Sequence, residues 1–389
     1  IWGFLDGQLI AEGQIKALGE ADNKITFVSF FDIGDERYWK GITVKTDVVA
    51  VSLESDILAN GSVFEHCVIT DAEHGISIEN GGSAIVKNTE LSGNECGIYL
   101  LDSGMSFIHD NQLKLNTESG IVGEASENGI SELVTIKDNQ INMNAEYGIN
   151  FLGHTSGTIR SFTIEGNTIG DNEIGGIRTS GTNESAFTTN VIKANTFSNS
   201  ELFITDGTVG LILSGDTNEA IENSFIGHHT GLKMVDSVSN TVKNNTFTAN
   251  SPWAISMAGG TVSNLIERND ITLNSNGILI GVSTIKMDVL NNFIRYNHVV
   301  ANSGLAFLIN SGPQEEIEFN NIFNNNITGV NQVEVGVNMD IEFDSNYWNM
   351  NNPNTVKTYI YDFYDNDDLG KIVVEPFLED LVDAGVSIE

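Results

Sequence analysis

Four glutamates, Glu73, Glu95, Glu118 and Glu146, each stand two residues before a glycine (Gly75, Gly97, Gly120 and Gly148). In a stacked array such a slot becomes a column. Carboxylates one coil apart repel unless they are solvated, hold raised pKa values or share a cation. The bland outcome is a solvated rim. The column is also a candidate Ca²⁺ site, since that ion is held by several carboxylate oxygens. Two carboxylates about 5–5.5 Å apart are the geometry of a retaining glycosidase, which singles out Glu118 and Glu146 as a catalytic pair. The histidines form no metal-type spacing.

A second set of candidates follows on the same strand, in the outward column Tyr99, Val122, Asn150, Arg178, Ile212, Lys233 and Ser256. Asn150, Arg178 and Lys233 carry hydrogen-bond donors suited to a glycan, and Tyr99 and Trp253 offer faces on which a sugar ring stacks. His154 and His229 are the histidines nearest this column. The expected ligand is a polysaccharide or a cell-surface glycan.

These placements rest on a repeat. Asn, any residue, then a bulky apolar residue recurs at Asn111, Asn139, Asn167, Asn195, Asn223, Asn245, Asn269, Asn291, Asn321 and Asn346, at intervals of 22 to 30 residues. A small residue followed by an aliphatic marks each turn again, as in Gly120-Ile121, Gly148-Ile149 and Gly176-Ile177. Between the two marks apolar and polar residues alternate, and no helical stripe is sustained. The expected fold is an all-β, right-handed parallel β-helix of about thirteen coils, with the asparagines stacked as a ladder. It is read as one domain over residues 1–389: opening coils 1–56, regular coils 57–345, and a closing coil and tail 346–389.

Insertions point to the working face. Gly120 to Asn139, Gly148 to Asn167 and Gly176 to Asn195 each count 19, where 13 to 15 is usual. Loops around 124–131, 152–158 and 179–186 are expected to stack as one wall, with a second at 200–208, leaving a groove between.

With 18 Lys+Arg against 53 Asp+Glu the net charge is −35. That excludes nucleic acid and anionic membrane as partners, both of which need clustered cations. No run of eighteen apolar residues spans a membrane, and the chain reads as a piece of a longer secreted or cell-surface precursor. Cys67 and Cys96 fall in different columns and are read as free thiols.

The segments Leu9–Gly13, Ile25–Phe27 and Trp39–Ile42 at one end, and Asn346–Trp348, Ile360–Asp362, Gly370–Ile372 and Pro376–Phe377 at the other, resemble the first and last coils of secreted bacterial right-handed β-helix repeat proteins of the pectate-lyase-like superfamily. The resemblance covers nearly the whole chain and implies architecture rather than activity, because that superfamily includes lyases, hydrolases, epimerases, tail fibres and adhesins. The Asp-Pro-His-Glu of alginate epimerases and the Arg-x-Pro-x-x-Arg of pectate lyases do not occur. The leading expectation is glycan binding in the groove. The alternative is polysaccharide cleavage by a hydrolase or lyase; ice binding and a purely structural adhesin segment are minor alternatives.

Overall fold

The computed structural model describes residues 2–3, 7–29, 39–45, 53–54, 57–58, 61–153, 156–181, 187–200, 207–281, 289–311, 315–326, 331–350, 352–362 and 364–383. Its contacts fall into two compact units, Ile1–Thr196 and Phe197–Glu389. Both are built from short parallel strands that pair with the same strand one coil away.

In the first unit three faces recur per coil. One holds Glu90–Ser92, Gln112–Lys114, Gln140–Asn142 and Thr168–Gly170. A second holds Ala84–Lys87, Ser106–His109, Val134–Lys137 and Thr163–Glu165. The third and longest holds Ala72–Glu79, Cys96–Leu101, Ile121–Ala125, Tyr147–Gly153 and Gly175–Gly181. The second unit repeats the plan, with Val209–Asp216, Thr230–Val238, Trp253–Met257, Asn276–Ile280 and Phe307–Ile309 as its long face.

Tight turns separate the faces, and those that carry a ladder asparagine are made the same way. A residue with positive φ, such as Asp138 (53°), Met143 (55°) or Leu273 (57°), precedes a buried asparagine. The turn leaves that asparagine's backbone N–H without a strand partner, and a buried N–H must find one. The next coil's asparagine supplies it. Asn139 donates its backbone N–H and its Nδ2 to Asn167 Oδ1, both at 2.9 Å, and Nδ2 also reaches Ile108 O at 2.9 Å.

The chain carries more than the one ladder the motif suggested. Asn111, Asn139, Asn167 and Asn195 form one in the first unit. Five residues on, Asn94, Asn116, Asn144 and Asn172 form another. The second unit has Asn223, Asn245, Asn269, Asn297, Asn320 and Asn346, with Asn250, Asn274, Asn302 and Asn325 beside them. Two sequence assignments shift as a result. Asn291 is the positive-φ residue before Asn292, a member of a separate ladder, and the column passes through Asn320 rather than Asn321. Because every ladder turn has the same construction, the motif alone does not tell one column from the next.

The small residue before each aliphatic has a packing reason. A Cβ on Gly120 would stand 2.7 Å from Ile141 Cγ2 and 3.1 Å from the ladder amide of Asn144. Glycine lets the long strand close over the ladder. The core itself is a set of stacked aliphatics and rings, including Phe197, Phe225 and Phe247 with successive centroids 4.7 Å apart.

The extra residues of the 19-residue segments do more than form loops. They add a short strand per coil, Ile130–Glu132, Thr158–Arg160 and Phe187–Thr188, paired in register, and bury Ser131, Ile159 and Phe187. Part of the insertion is therefore core. Residues 154–155, 182–186 and 201–206 of the expected walls, including His154, lie outside the described residues.

Candidate functional site: an acidic cleft on the long face of the first unit

Alternation on the long face sends Ile98, Ile121, Ile149 and Ile177 inward, in register with one another. The residues after them, Tyr99, Val122, Asn150 and Arg178, therefore form an outward column. The turn before these strands carries the glutamates. Glu118 N–H donates to Glu95 O at 2.9 Å and Glu146 N–H to Glu118 O at 3.0 Å, so the three carboxylates climb one coil at a time.

The two columns enclose a cleft of about 500 Å³, lined by His74, Glu95, Cys96, Tyr99, Glu118, Val122, Glu124, Glu146, Asn150, Leu152 and Arg178. That volume is in the range of small-ligand sites. Of the residues expected from sequence, Tyr99, Asn150, Arg178, Glu95, Glu118 and Glu146 meet here. Glu73 does not line the cleft; its carboxylate is ion-paired with Lys40, and the strand pairing shifts register at His74–Ile76. His229, Lys233 and Trp253 belong to the second unit. There Lys233 pairs with Ser256 and Trp253 with Thr230 in the corresponding sheet, and His229 N–H donates to Thr208 Oγ1 at 3.2 Å.

Two lining residues were not singled out from sequence. His74 stacks on Tyr99, centroids 4.3 Å apart and planes within 16°, and its Nδ1 lies 3.2 Å from Ser77 Oγ. Glu124 accepts the Tyr99 hydroxyl at 2.7 Å. The signal for Glu124 was its place two residues after the outward Val122. Nothing in the sequence brings His74 over Tyr99, because they sit on different rungs.

Burial pushes the Glu118 carboxyl upward, and the charges of Glu95 and Glu146, a hydrogen bond with Glu95 and the charge of Glu124 add to the rise. Burial lowers His74 despite the acids around it, which keeps the ring neutral. Burial and the bond to Glu124 raise the Tyr99 phenol, so it stays a donor. Cys96 is a buried free thiol, raised chiefly by desolvation.

At the far end the Arg178 guanidinium lies 5.6 Å from the centre of the Tyr147 ring. Asn150 is only 6% exposed, and its Oδ1 is a buried acceptor with no partner among the described residues. Such an atom costs about 1–3 kcal/mol until something donates to it. Among the described residues, no three His, Cys, Asp or Glu side chains converge as a metal-holding group.

Residues 41–192 and 186–346 match the family model for a right-handed β-helix region. The chain belongs to that family. No curated protein sequence matches it. Among solved structures, this β-helix is similar to a point mutant of a periplasmic alginate epimerase, at 13% identity and TM-score 0.53, over 70% of this chain and 67% of that one. The catalytic unit of a GH87 α-1,3-glucanase from Streptomyces thermodiastaticus gives 12% identity and TM-score 0.53, over 83% of this chain and 62% of that one. A surface adhesin of Streptococcus pneumoniae gives 15% identity and TM-score 0.47, over 79% and 82%. The chain thus spans about two thirds of the first two structures. At these identities the likeness is one of fold.

Proposed function

We propose that this β-helix binds a polysaccharide or cell-surface glycan in the cleft of the first unit. The observation that carries the reading is Asn150, whose Oδ1 is a buried acceptor without a partner among the described residues and whose side chain lines the same cleft as the carboxylates and the stacked ring pair. Sugars present hydroxyl donors and apolar ring faces, which suit both. Five strands, four rungs of about 4.8 Å, give a run long enough for a short linear oligosaccharide. The solved structures named above include proteins acting on alginate and on α-1,3-glucan, which agrees with a glycan ligand. No helix among the described residues is long and apolar enough to cross a membrane; a glycan ligand and a net charge of −35 favour work at a cell surface or outside it.

Cleavage of the bound chain is a second reading, favoured by Glu118. A carboxyl that keeps its proton to higher pH than free glutamate is suited to act as a general acid, with the neighbouring Glu146 as base or nucleophile. Ca²⁺ on Glu95, Glu118 and Glu146 is a further proposal, and it requires these side chains to turn toward one ion, since they do not converge as they stand. It predicts a melting temperature that rises with millimolar Ca²⁺ over a chelator control and loses that rise in Glu95→Gln/Glu118→Gln.

Calorimetric titration with a panel of oligosaccharides tests binding, and release of reducing ends or unsaturated products tests cleavage. Asn150→Ala is expected to weaken binding about tenfold or more, the equivalent of one lost buried hydrogen bond. A panel ligand that binds the variant as tightly as the parent would remove the cleft from the reading.

A further inference from the structure

We propose that the glycan recognised by the cleft carries protonated amines, as in a polymer of hexosamines with free amino groups. The inference rests on the reading of the cleft as a glycan site and concerns which glycan it takes.

The argument starts from how this chain treats its other acids. In the first unit, strand glutamates have a cation close by on a neighbouring strand. Lys87 stands 3.0 Å from Glu65, Lys114 3.1 Å from Glu90 and Arg160 2.8 Å from Glu132, and Lys40 is paired with Glu73. The cleft gathers four acids without such a neighbour, Glu124 on a strand and Glu95, Glu118 and Glu146 in the turns that lead into the long face. Glu95, Glu118, Glu124 and Glu146 line one space, and among the described residues none of them has an ion-pair partner within 4.0 Å.

The cations of the lining do not fill the gap. Arg178 sits at one end over the Tyr147 ring, and His74 is stacked on Tyr99 and held neutral by burial. Burial raises the Glu118 carboxyl first, and the charges of Glu95, Glu146 and Glu124 push it further. A cation entering the cleft would offset those charges.

Asn150 Oδ1 is the independent observation. It is buried, unpartnered and part of the same lining, and it is an acceptor, as an ionised carboxylate is. A ligand matching this surface is rich in donors and positively charged. An ammonium group has three donors, no acceptor and a full charge. A uronic acid would be repelled by the row, and a neutral sugar would leave its charge uncompensated. The row repeats at the rung spacing, so a linear polymer with an amine on successive sugars can address more than one carboxylate.

The test is calorimetric titration of the full chain with four hexamers: glucosamine, N-acetylglucosamine, cellohexaose and hexaguluronate, at low salt and at about 0.5 M salt. The glucosamine hexamer is expected to bind at least about tenfold more tightly than the others, with the preference shrinking in high salt. Because an acidic protein attracts polycations anywhere on its surface, two variants locate the effect. Glu95→Gln/Glu146→Gln should abolish the preference, and Asp365→Asn/Asp367→Asn/Asp368→Asn, three surface acids of the second unit, should leave it. Equal loss in both variants means diffuse attraction and overturns the proposal. Tight binding of the acetylated, neutral or anionic hexamer also overturns it while leaving the glycan reading in place. Failure of all four hexamers overturns it together with that reading.

Discussion

The long faces of the two units share one scaffold and differ in what they show to solvent. In the first unit the slot two residues before the small anchor runs Glu73, Glu95, Glu118 and Glu146 before ending at Ile174; in the second it includes His229, Pro252 and Ser275. The outward column is Tyr99, Val122, Asn150 and Arg178 in one, and Ile212, Lys233, Ser256 and Leu279 in the other. The inward column is aliphatic in both: Ile98, Ile121, Ile149 and Ile177 against Leu211, Leu232, Ile255 and Ile278. A β-helix therefore separates its obligations by position along each coil. Ladder and inward slots are fixed by stacking, while outward and turn slots are free to carry chemistry, and here the acidic cleft is written into one stretch of coils.

Ligand measurements offer the strongest way to break this comparison. If cleavage occurs, Glu118→Gln should reduce turnover by a factor of about 10²–10⁴, the usual worth of a general acid, whereas Lys233→Ala should leave it unchanged. Arg178→Ala should shift glycan affinity about tenfold, downward for a neutral glycan that uses its donors and upward for one carrying protonated amines, with the melting temperature preserved, and Trp253→Ala should not. Equal effects of Arg178→Ala and Trp253→Ala on affinity would mean that the chemistry is not confined to the first unit.

Scaffold variants come next in size, and here the two units should behave alike. Asn139→Ala in the first and Asn269→Ala in the second each strand a neighbour's buried donors, at about 1–3 kcal/mol, while Asn142→Ala, on a half-exposed strand position, should cost little. Thermal or denaturant unfolding of the three reads this directly. A cost at Asn142 matching that at Asn139 would sink the ladder register.

One carboxyl of the second unit sharpens the contrast with the open row of the first. Glu315 is 3% exposed and ends the ladder Asn240–Asn264–Asn292, accepting Asn292 N–H at 3.0 Å. Desolvation pushes it up to about 7. A raised folded pKa means that the native state holds the proton when the unfolded state has lost it. Its stabilisation is intact below the ordinary glutamate pKa, is lost as pH rises toward 7, and stays lost above that. The sum is about 3 kcal/mol at most. Glu315→Gln should flatten that part of the stability-versus-pH curve between about pH 4.5 and 7, and an unchanged slope would refute the assignment. The smallest effect is expected from Lys243→Ala, which removes an ion pair to Glu267 (2.7 Å) on a partly exposed face and should cost about 1 kcal/mol or less.

The fold was legible because stacking imposes one side chain on one slot, coil after coil. Asn139, Asn167 and Gly148 can be placed from spacing alone. The site was legible in part for the same reason: Tyr99, Asn150 and Arg178 follow from the inward isoleucines by alternation. Glu73 escaped because the pairing is irregular at His74–Ile76 and a lysine on the neighbouring strand claims its carboxylate. His74 and Glu124 escaped because ring stacking and the Tyr99 bond reach across rungs, which spacing within a single coil does not encode. The neighbouring ladder at Asn116 and Asn144 was visible as a second asparagine five residues after the first, a periodicity that the apolar anchor obscured.

The amide ladders also have a direction. Each asparagine donates to its counterpart in the following coil, so every coil of a unit is gripped by its two neighbours and by no others along that column. Under a pulling force the first unit should then behave as a stack of separate mechanical links rather than as one globule. Detaching an end coil frees the 22 to 28 residues between successive ladder asparagines, about 80–100 Å of extended chain, before the next set of amides bears the load. Single-molecule extension should show rupture steps of that length.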